Sequence, residues 1–234
     1  MKNGVTKNPK IYNERFSILY KFYKEIEPRQ KMQWTSTSDK KKSKALVISR
    51  VIDCNDNVTR LWNNLFQDEP SLFENFLCES QQCNFQLSKP AIGVDYHVLL
   101  KNGIQDLQSA LIFRGSFKKL CPVCKSIQTC EQKLNMYIYI ELDIRLRNDI
   151  KGLSCKLRNF PIILNIKESQ TKVLRYRLCG VIGHNVNHYI AYCRRLSGIW
   201  RFYNDMLPAS QIIGDHTEIV PHGVLYLREN SVDE

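Results

Sequence analysis

No stretch of this 234-residue chain approaches the ~18 consecutive apolar residues that a membrane-spanning helix needs. Nor does the N-terminus, Met1-Lys2-Asn3-Gly4 leading into polar sequence, carry an apolar segment of secretory type. These two absences predict a soluble intracellular protein of cytoplasm or nucleus, with no membrane partner. An internal repeat is missing as well, which excludes a solenoid or propeller array. What is plentiful is cysteine. Nine cysteines without a leader point to metal ligands or reactive thiols rather than a disulfide framework. The Asn57-Val58-Thr59 sequon carries little meaning in such a protein.

A hydrophobic content of 43% is enough for a globular core, and the length suits one domain, with or without a tail. The net charge is +11, from 34 basic and 23 acidic residues. Part of the excess is local, in Lys40-Lys41-Lys42 with Lys44 and in Arg194-Arg195 with Arg201. A basic surface can attract nucleic acid or acidic partners, although a solvated face plus a basic linker accounts for the same residues.

Residues 1–44 read as a basic N-terminal extension and linker. Phe16, Leu19, Phe22, Tyr23 and Ile26 fall at helical spacing before Pro28. Residues 29–44, rich in Gln, Ser, Thr and Lys, read as a flexible connection. The globular domain is expected over 45–234. Val58, Leu61, Trp62, Leu65 and Phe66 recur at three and four, with Asp56 or Asn57 as N-cap, and predict a helix before Pro70. A second helix is expected over Gly103–Leu111, burying Ile104, Leu107 and Leu111. Beyond residue 130 the period changes to two and to continuous apolar runs. Met136–Ile144, Pro161–Ile166, Arg175–Ile182, His188–Cys193, Ile199–Tyr203 and Gly223–Leu227 read as strands. Helices first and strands afterwards indicate an α+β domain with an antiparallel sheet.

Two cysteine pairs stand out. Cys121-Pro122-Val123-Cys124 is a CxxC knuckle, and Cys78 and Cys83 form a second pair upstream. Short spacing lets both sulfurs of a pair wrap one ion, so two pairs can supply four thiolates in tetrahedral geometry to a structural zinc. A site with one pair degenerate, or ordinary buried thiols, would leave the same sequence trace. Cys130 could replace one ligand. Cys155, Cys179 and Cys193 sit inside apolar strands and read as core residues.

The most informative segment is Asn187-His188-Tyr189-Ile190-Ala191-Tyr192, followed by Trp200-Arg201-Phe202-Tyr203-Asn204-Asp205. A histidine on one strand and an Asn-Asp pair at the end of the next can bring an imidazole beside a carboxamide or carboxylate. A histidine so oriented is the base half of a nucleophilic triad.

These residues, with three flanking stretches, resemble the ubiquitin-specific protease family of papain-like cysteine deubiquitinases. Phe113-Arg114-Gly115 leading to Cys121-x-x-Cys124 looks like the approach to the family's zinc-binding fingers. Phe160-Pro161-Ile162-Ile163-Leu164 is similar to the strand after the fingers. Tyr176 to His184, continuing through His188–Tyr192 and Trp200 to Asn204-Asp205, resembles the histidine box. Leu225-Tyr226-Leu227-Arg228 looks like the closing strand. Together they cover roughly residues 105–230.

The resemblance implies a papain-like cysteine protease fold with a helical N-terminal part, zinc-finger-like fingers at about 78–135 and an antiparallel β palm at about 136–230. It also implies His188 as general base, Asn204 as the residue that orients it, Asp205 as the neighbouring acid, and Trp200 as an aromatic packed behind the base. The fingers would hold zinc on Cys78, Cys83, Cys121 and Cys124. The substrate would be a conjugate of ubiquitin or a ubiquitin-like protein, cleaved by a monomer at the isopeptide bond of the modifier's C-terminal glycine. Asn187 departs from the family, which usually has Gly there.

The family's cysteine box, an Asn-Thr-Cys segment opening a long helix, does not occur as such. Cys54 is the nearest equivalent, since it precedes the expected helix, whose free amides and dipole favour a thiolate. Asp53 and Asp56 place negative charge beside it and oppose the thiolate. Three readings stay open: Cys54 as nucleophile, a relative without the catalytic thiol that still binds ubiquitin or another protein, or a chain that starts after its cysteine box. A reading from another class is a basic zinc module binding nucleic acid. It would need aromatics interleaved with basic residues, as Arg194, Arg195, Arg201, Trp200 and Tyr203 hint.

Overall fold

The computed structural model describes residues 21, 30–36, 46–52, 57–80, 82–142, 153–185 and 188–229, with 30–36 and 46–52 described by their backbone alone. The chain divides into two compact units between Leu65 and Phe66. In the first, strand β1 (Gln30–Ser36) pairs antiparallel with β2 (Leu46–Ile52), from Gln30↔Ile52 to Ser36↔Leu46. Part of the expected flexible connection is therefore a strand. Its polar content reads as loop, but Met32 and Trp34 alternate with Gln33 and Thr35, the period of a half-covered strand. Helix α1 (Val58–Leu65) forms where its spacing predicts. Asn57 caps it: its Oδ1 accepts from the Arg60 N–H at 3.1 Å and its carbonyl from the Leu61 N–H at 3.0 Å. Apart from Lys21, the helix expected around Phe16–Ile26 lies outside the described residues, and so does Cys54.

The second unit is mostly antiparallel sheet with few helices. Four strands, β3 (Leu72–Cys78), β4 (Phe85–Lys89), β5 (Ser116–Leu120) and β6 (Ile127–Leu134), form a sheet in the order β4-β3-β6-β5. Period-two hydrophobicity fails to announce it because its covered face mixes polar with apolar residues. Glu74 alternates inward with Leu72, Phe76 and Cys78, and Gln128 and Gln132 with Cys130 and Leu134. Glu74 accepts from Gln132 Nε2 at 2.7 Å and from Lys89 Nζ at 2.9 Å, whereas Gln128 donates from Nε2 to the Cys83 carbonyl at 3.4 Å.

The larger sheet takes β7 (Tyr137–Glu141), β9 (Ile163–Lys167), β10 (Val173–Asn185), β11 (His188–Arg194), β12 (Trp200–Tyr203), β13 (Gln211–Ile213) and β15 (Pro221–Arg228), in the order β13-β12-β11-β10-β15-β7, with β9 also on β10. The two-residue strands β8 (Cys155–Lys156) and β14 (Glu218–Ile219) pair separately. Six of these strands fall where alternation predicts them. Over Gly103–Leu111, a 3-10 turn (Ile104–Asp106) runs into helix α3 (Leu107–Ala110), burying Ile104 and Leu107 fully. Helix α2 (Tyr96–Asn102) precedes it, started by Asp95, whose Oδ1 accepts from the His97 N–H at 3.0 Å.

The core gathers Leu99, Ile104, Leu107, Ile138, Ile140, Phe160, Leu178 and Val224 with three wholly buried tyrosines, Tyr139, Tyr176 and Tyr226. Two of those hydroxyls have carbonyl acceptors, Tyr226 on Pro161 at 2.7 Å and Tyr176 on Asn135 at 2.5 Å. Each aromatic therefore buries its ring without stranding its polar end. Tyr139 leans across Gly223 on the adjacent strand, and a Cβ there would overlap its hydroxyl oxygen. Gly223→Ala should accordingly cost about 1–3 kcal/mol of stability, the range for overpacking a filled core, and equilibrium denaturation reads it directly.

Candidate functional site

Strand β10 has register shifts against β15 between Leu178 and Gly180 and between Ile182 and Gly183. Such irregularities bend a strand, and the second lies just before the hairpin that carries His188. Asn185↔His188 closes that hairpin, and Ala191↔Tyr203 aligns β11 with β12. The alignment carries Asn204, one residue past β12, back beside His188 at the start of β11.

His188 Nε2 lies 2.8 Å from Asn204 Oδ1. The same oxygen accepts the Met206 backbone N–H at 2.9 Å. A backbone amide can only donate, so the carboxamide atom between the two must be the oxygen. An oxygen facing Nε2 in turn requires a proton on Nε2. The neutral ring therefore presents a bare, basic Nδ1 to whatever lies opposite. Asp205 places Oδ1 3.3 Å from the same Nε2, but its side chain is 85% exposed, so its field is heavily screened. The His188 side chain is one-quarter exposed, enough for a reactant to reach it. Trp200 is buried at 3%, opposite Arg194 and Ile213 in the sheet. It is thus removed from the surface on which it would have to stack with bases.

A second group forms at one end of the four-stranded sheet. Cys78 ends β3 and Cys83 sits in the loop to β4, while Cys121 and Cys124 lie in the loop from β5 to β6. Because β3 and β6 are neighbours, the two hairpin loops are adjacent. All four Sγ atoms lie within 4.8 Å of one another, with Cys78 and Cys124 at 3.3 Å. Ligands at ~2.3 Å in a tetrahedron stand about 3.8 Å apart, so the donor set fits a thiolate-bound divalent ion. Cys121 and Cys78 are buried, Cys83 is half-buried and Cys124 exposed.

The knuckle is tied by the Lys125 N–H on the Cys121 carbonyl at 3.0 Å and the Cys121 N–H on the Ser126 carbonyl at 2.9 Å, with Lys125 at φ 61°. The electrostatics also ask for a cation. A hydrogen bond from Ser80, then the Ser126 amide, hold the Cys124 thiol down to about 5. Ser80 pulls Cys83 the same way, but desolvation and the neighbouring Cys124 and Cys121 sulfurs outweigh it and push Cys83 up to about 11. Crowded sulfurs cannot all ionise together unless a positive charge sits among them.

Cys130 is not a member of this group. It lies mid-strand between Phe76 and Phe117 and is fully buried. Cys155, Cys179 and Cys193 are half-buried free thiols. Burial pushes Cys155 up to about 12 and raises Cys130, Cys179 and Cys193. None of these four is poised as a thiolate. Sequence reasoning missed Ser80, the hydroxyl shared among the sulfurs, with Cys124 at 3.4 Å and Cys83 at 3.7 Å. It also missed the turn at Met206 that fixes the Asn204 amide. The signal for that turn was present, because an Asn just past a strand commonly binds the backbone amide two residues on.

No family model matches the chain. A 120.7 kDa protein in the NOF-FB transposable element of Drosophila melanogaster is 27% identical over an alignment of 124 positions that covers 47% of this chain and 11% of that protein. Among solved structures, the SAGA Ubp8/Sgf11/Sus1/Sgf73 DUB module bound to ubiquitin aldehyde is 19% identical, covers 68% of this chain and 41% of that chain, and has a TM-score of 0.39. The Neurospora crassa Pan2 catalytic unit, with protease and nuclease domain, is 12% identical, covers 68% and 33% respectively, and also has a TM-score of 0.39. The chain spans less than half of these solved chains and about a tenth of the transposable-element protein.

Proposed function

We propose that the chain is a papain-like, thiol-dependent hydrolase of the ubiquitin-specific protease type, acting on the isopeptide bond at the C-terminal glycine of ubiquitin or a ubiquitin-like modifier. The observation that supports it most strongly is the 2.8 Å contact between His188 and Asn204, with the carboxamide oriented by Met206. Residues 45–234 would form the catalytic domain, and residues 1–44 its basic extension. Among the described residues no helix is long and apolar enough to cross a membrane.

In this reading Cys54, just before the capped helix Val58–Leu65, supplies the nucleophile. Nδ1 of His188 takes the thiol proton, and the sulfur attacks the carbonyl carbon of the modifier's last glycine. The acceptor lysine leaves as an amine, reprotonated by the imidazolium. Water, deprotonated by the same nitrogen, then cleaves the thioester and frees the modifier's carboxylate and the thiol. Asn204 holds the ring in one tautomer throughout, and Asp205, 3.3 Å from Nε2 but open to solvent, stands as the neighbouring acid. The sulfurs of Cys78, Cys83, Cys121 and Cys124 would hold a structural zinc, whose contribution is to fold the fingers rather than to react.

A ubiquitin bearing a C-terminal electrophile tests the assignment. The expected result is a covalent adduct mapped by mass spectrometry to Cys54, abolished in Cys54→Ser and slowed at least about a hundredfold in His188→Ala. An adduct confined to the finger cysteines, or none at all, would refute a catalytic role. Ubiquitin binding without an adduct would make the chain a binding module instead.

A further inference from the structure

Strands β10 to β13 present a face that runs from the edge of the imidazole pair, at Asn204, away from the sulfur cluster. Registers Ile182↔Ala191, Ala191↔Tyr203, Cys193↔Arg201 and Arg201↔Ile212 place these residues on one side of the sheet. Much of that side is apolar and uncovered: Ile212 is 66% exposed, Ile199 46% and Tyr203 37%. The segment after Asn204 rises beside it and leaves a cleft of about 510 Å³, floored by Ile182, Ala191 and Tyr203 and walled by Leu207, Pro208 and Ala209. The wall is pinned at both ends. The Leu207 N–H donates to the Asn204 carbonyl at 3.0 Å, and Arg201 Nη1 donates to Ser210 Oγ at 3.1 Å.

The charges around this cleft are unequal. Arg195 Nη2 donates to the Tyr203 hydroxyl at 2.5 Å, so both Arg195 and Arg201 rest on neutral oxygens. Among the described residues neither guanidinium is in an ion pair. A single acid, Asp205, lines the cleft, at the margin beside His188. An exposed apolar patch rimmed by uncompensated arginines is the composition of an interface rather than of a solvated surface.

We propose that this face docks a protein segment in which one large apolar side chain, seated in the cleft, is flanked by acidic residues that meet Arg195 and Arg201. A nucleic acid fits less well. Base stacking needs successive aromatic platforms. Here Trp200 is buried, Phe202 packs against Tyr192 at 5.6 Å and Tyr189 against His184 at 4.8 Å, which leaves Tyr203 as a lone platform among aliphatic Ile199, Leu207 and Ile212, groups that suit a peptide side chain. The cleft also touches Asn204, so an occupant would stiffen the segment that orients the imidazole.

Panning the full chain against a random dodecapeptide library, and measuring the enriched peptides by fluorescence anisotropy, tests this independently of turnover. The expected peptides carry a leucine, isoleucine, phenylalanine or tryptophan flanked by aspartate or glutamate. Their binding should weaken at least about tenfold in the double variant Arg195→Glu, Arg201→Glu, as loss of arginine anchors predicts. Ala209→Trp, which fills the cleft from an exposed position, should weaken it as much while the circular-dichroism melt stays unchanged. Failure to enrich any class, enrichment of peptides without acidic residues, or binding indifferent to both variants would overturn the proposal. So would an oligothymidylate that binds more tightly than the peptides and is lost with the same arginines.

Discussion

Removing metal from the purified chain should unfold the four-stranded sheet and lower its thermal midpoint by more than about 10 °C. The reason lies in what that sheet buries. Its covered face alternates Leu72, Phe76 and Leu134 with Glu74, Gln128 and Gln132, so less apolar area leaves water than in an ordinary sheet core. It also leaves Leu120, at the end of β5, 68% exposed and Val123, in the knuckle, 77% exposed. A four-thiolate zinc site supplies roughly 10–16 kcal/mol of apparent binding free energy, which becomes folding free energy when the site forms only in the folded state. Even about 5 kcal/mol of that moves the midpoint of a domain this size by some 10–20 °C. Elemental analysis should find one zinc per chain, and Cys121→Ser should abolish it. Cys130→Ser should leave the metal content unchanged, because that thiol lies outside the cluster. Full stability without metal would remove the zinc reading.

The second large effect concerns Asn204. Asn204→Ala removes the acceptor that fixes the His188 tautomer, and turnover of a fluorogenic ubiquitin C-terminal amide should fall by about 10²–10⁴, the range seen when an orienting residue of a related triad is lost. Asn204→Asp keeps an oxygen acceptor for both Nε2 and the Met206 amide and should retain most of the rate. Asp205→Asn should cost no more than about fivefold, since its exposed carboxylate is worth at most ~1 kcal/mol to the imidazolium. Equal losses at Asn204 and Asp205 would mean that the carboxylate, not the amide, orients the ring.

The sequence was most readable where one physical rule acted alone. The strands of the large sheet were visible without coordinates, as alternation where one face is covered, as in β9, and as a continuous apolar run where both faces are, as in β7. Asn57 is a cap by chemistry and caps. The two cysteine pairs are close in sequence, so only their mutual approach needed the fold, and the adjacency of β3 and β6 supplies it. The four-stranded sheet was hidden because buried Glu74, Gln128 and Gln132 interrupt the apolar side of its strands, Glu74 being met there by Gln132 and Lys89, which no hydropathy pattern encodes. Strand Gln30–Ser36 was hidden by its polar residues. The identity of the imidazole's partner was foreseeable from an Asn-Asp at a strand end. Which atom faces the ring was not, because that depends on a backbone amide delivered by the Met206 turn.

Everything chemical proposed for this chain requires that the His188 ring be held by Asn204 with the proton on Nε2. Nitrogen-15 NMR of the imidazole measures this directly at a pH where the ring is neutral. The expected spectrum shows a pyrrole-type Nε2 and a pyridine-type Nδ1, with the preference lost in Asn204→Ala. A proton on Nδ1, or tautomers averaging equally with and without Asn204, would contradict the account.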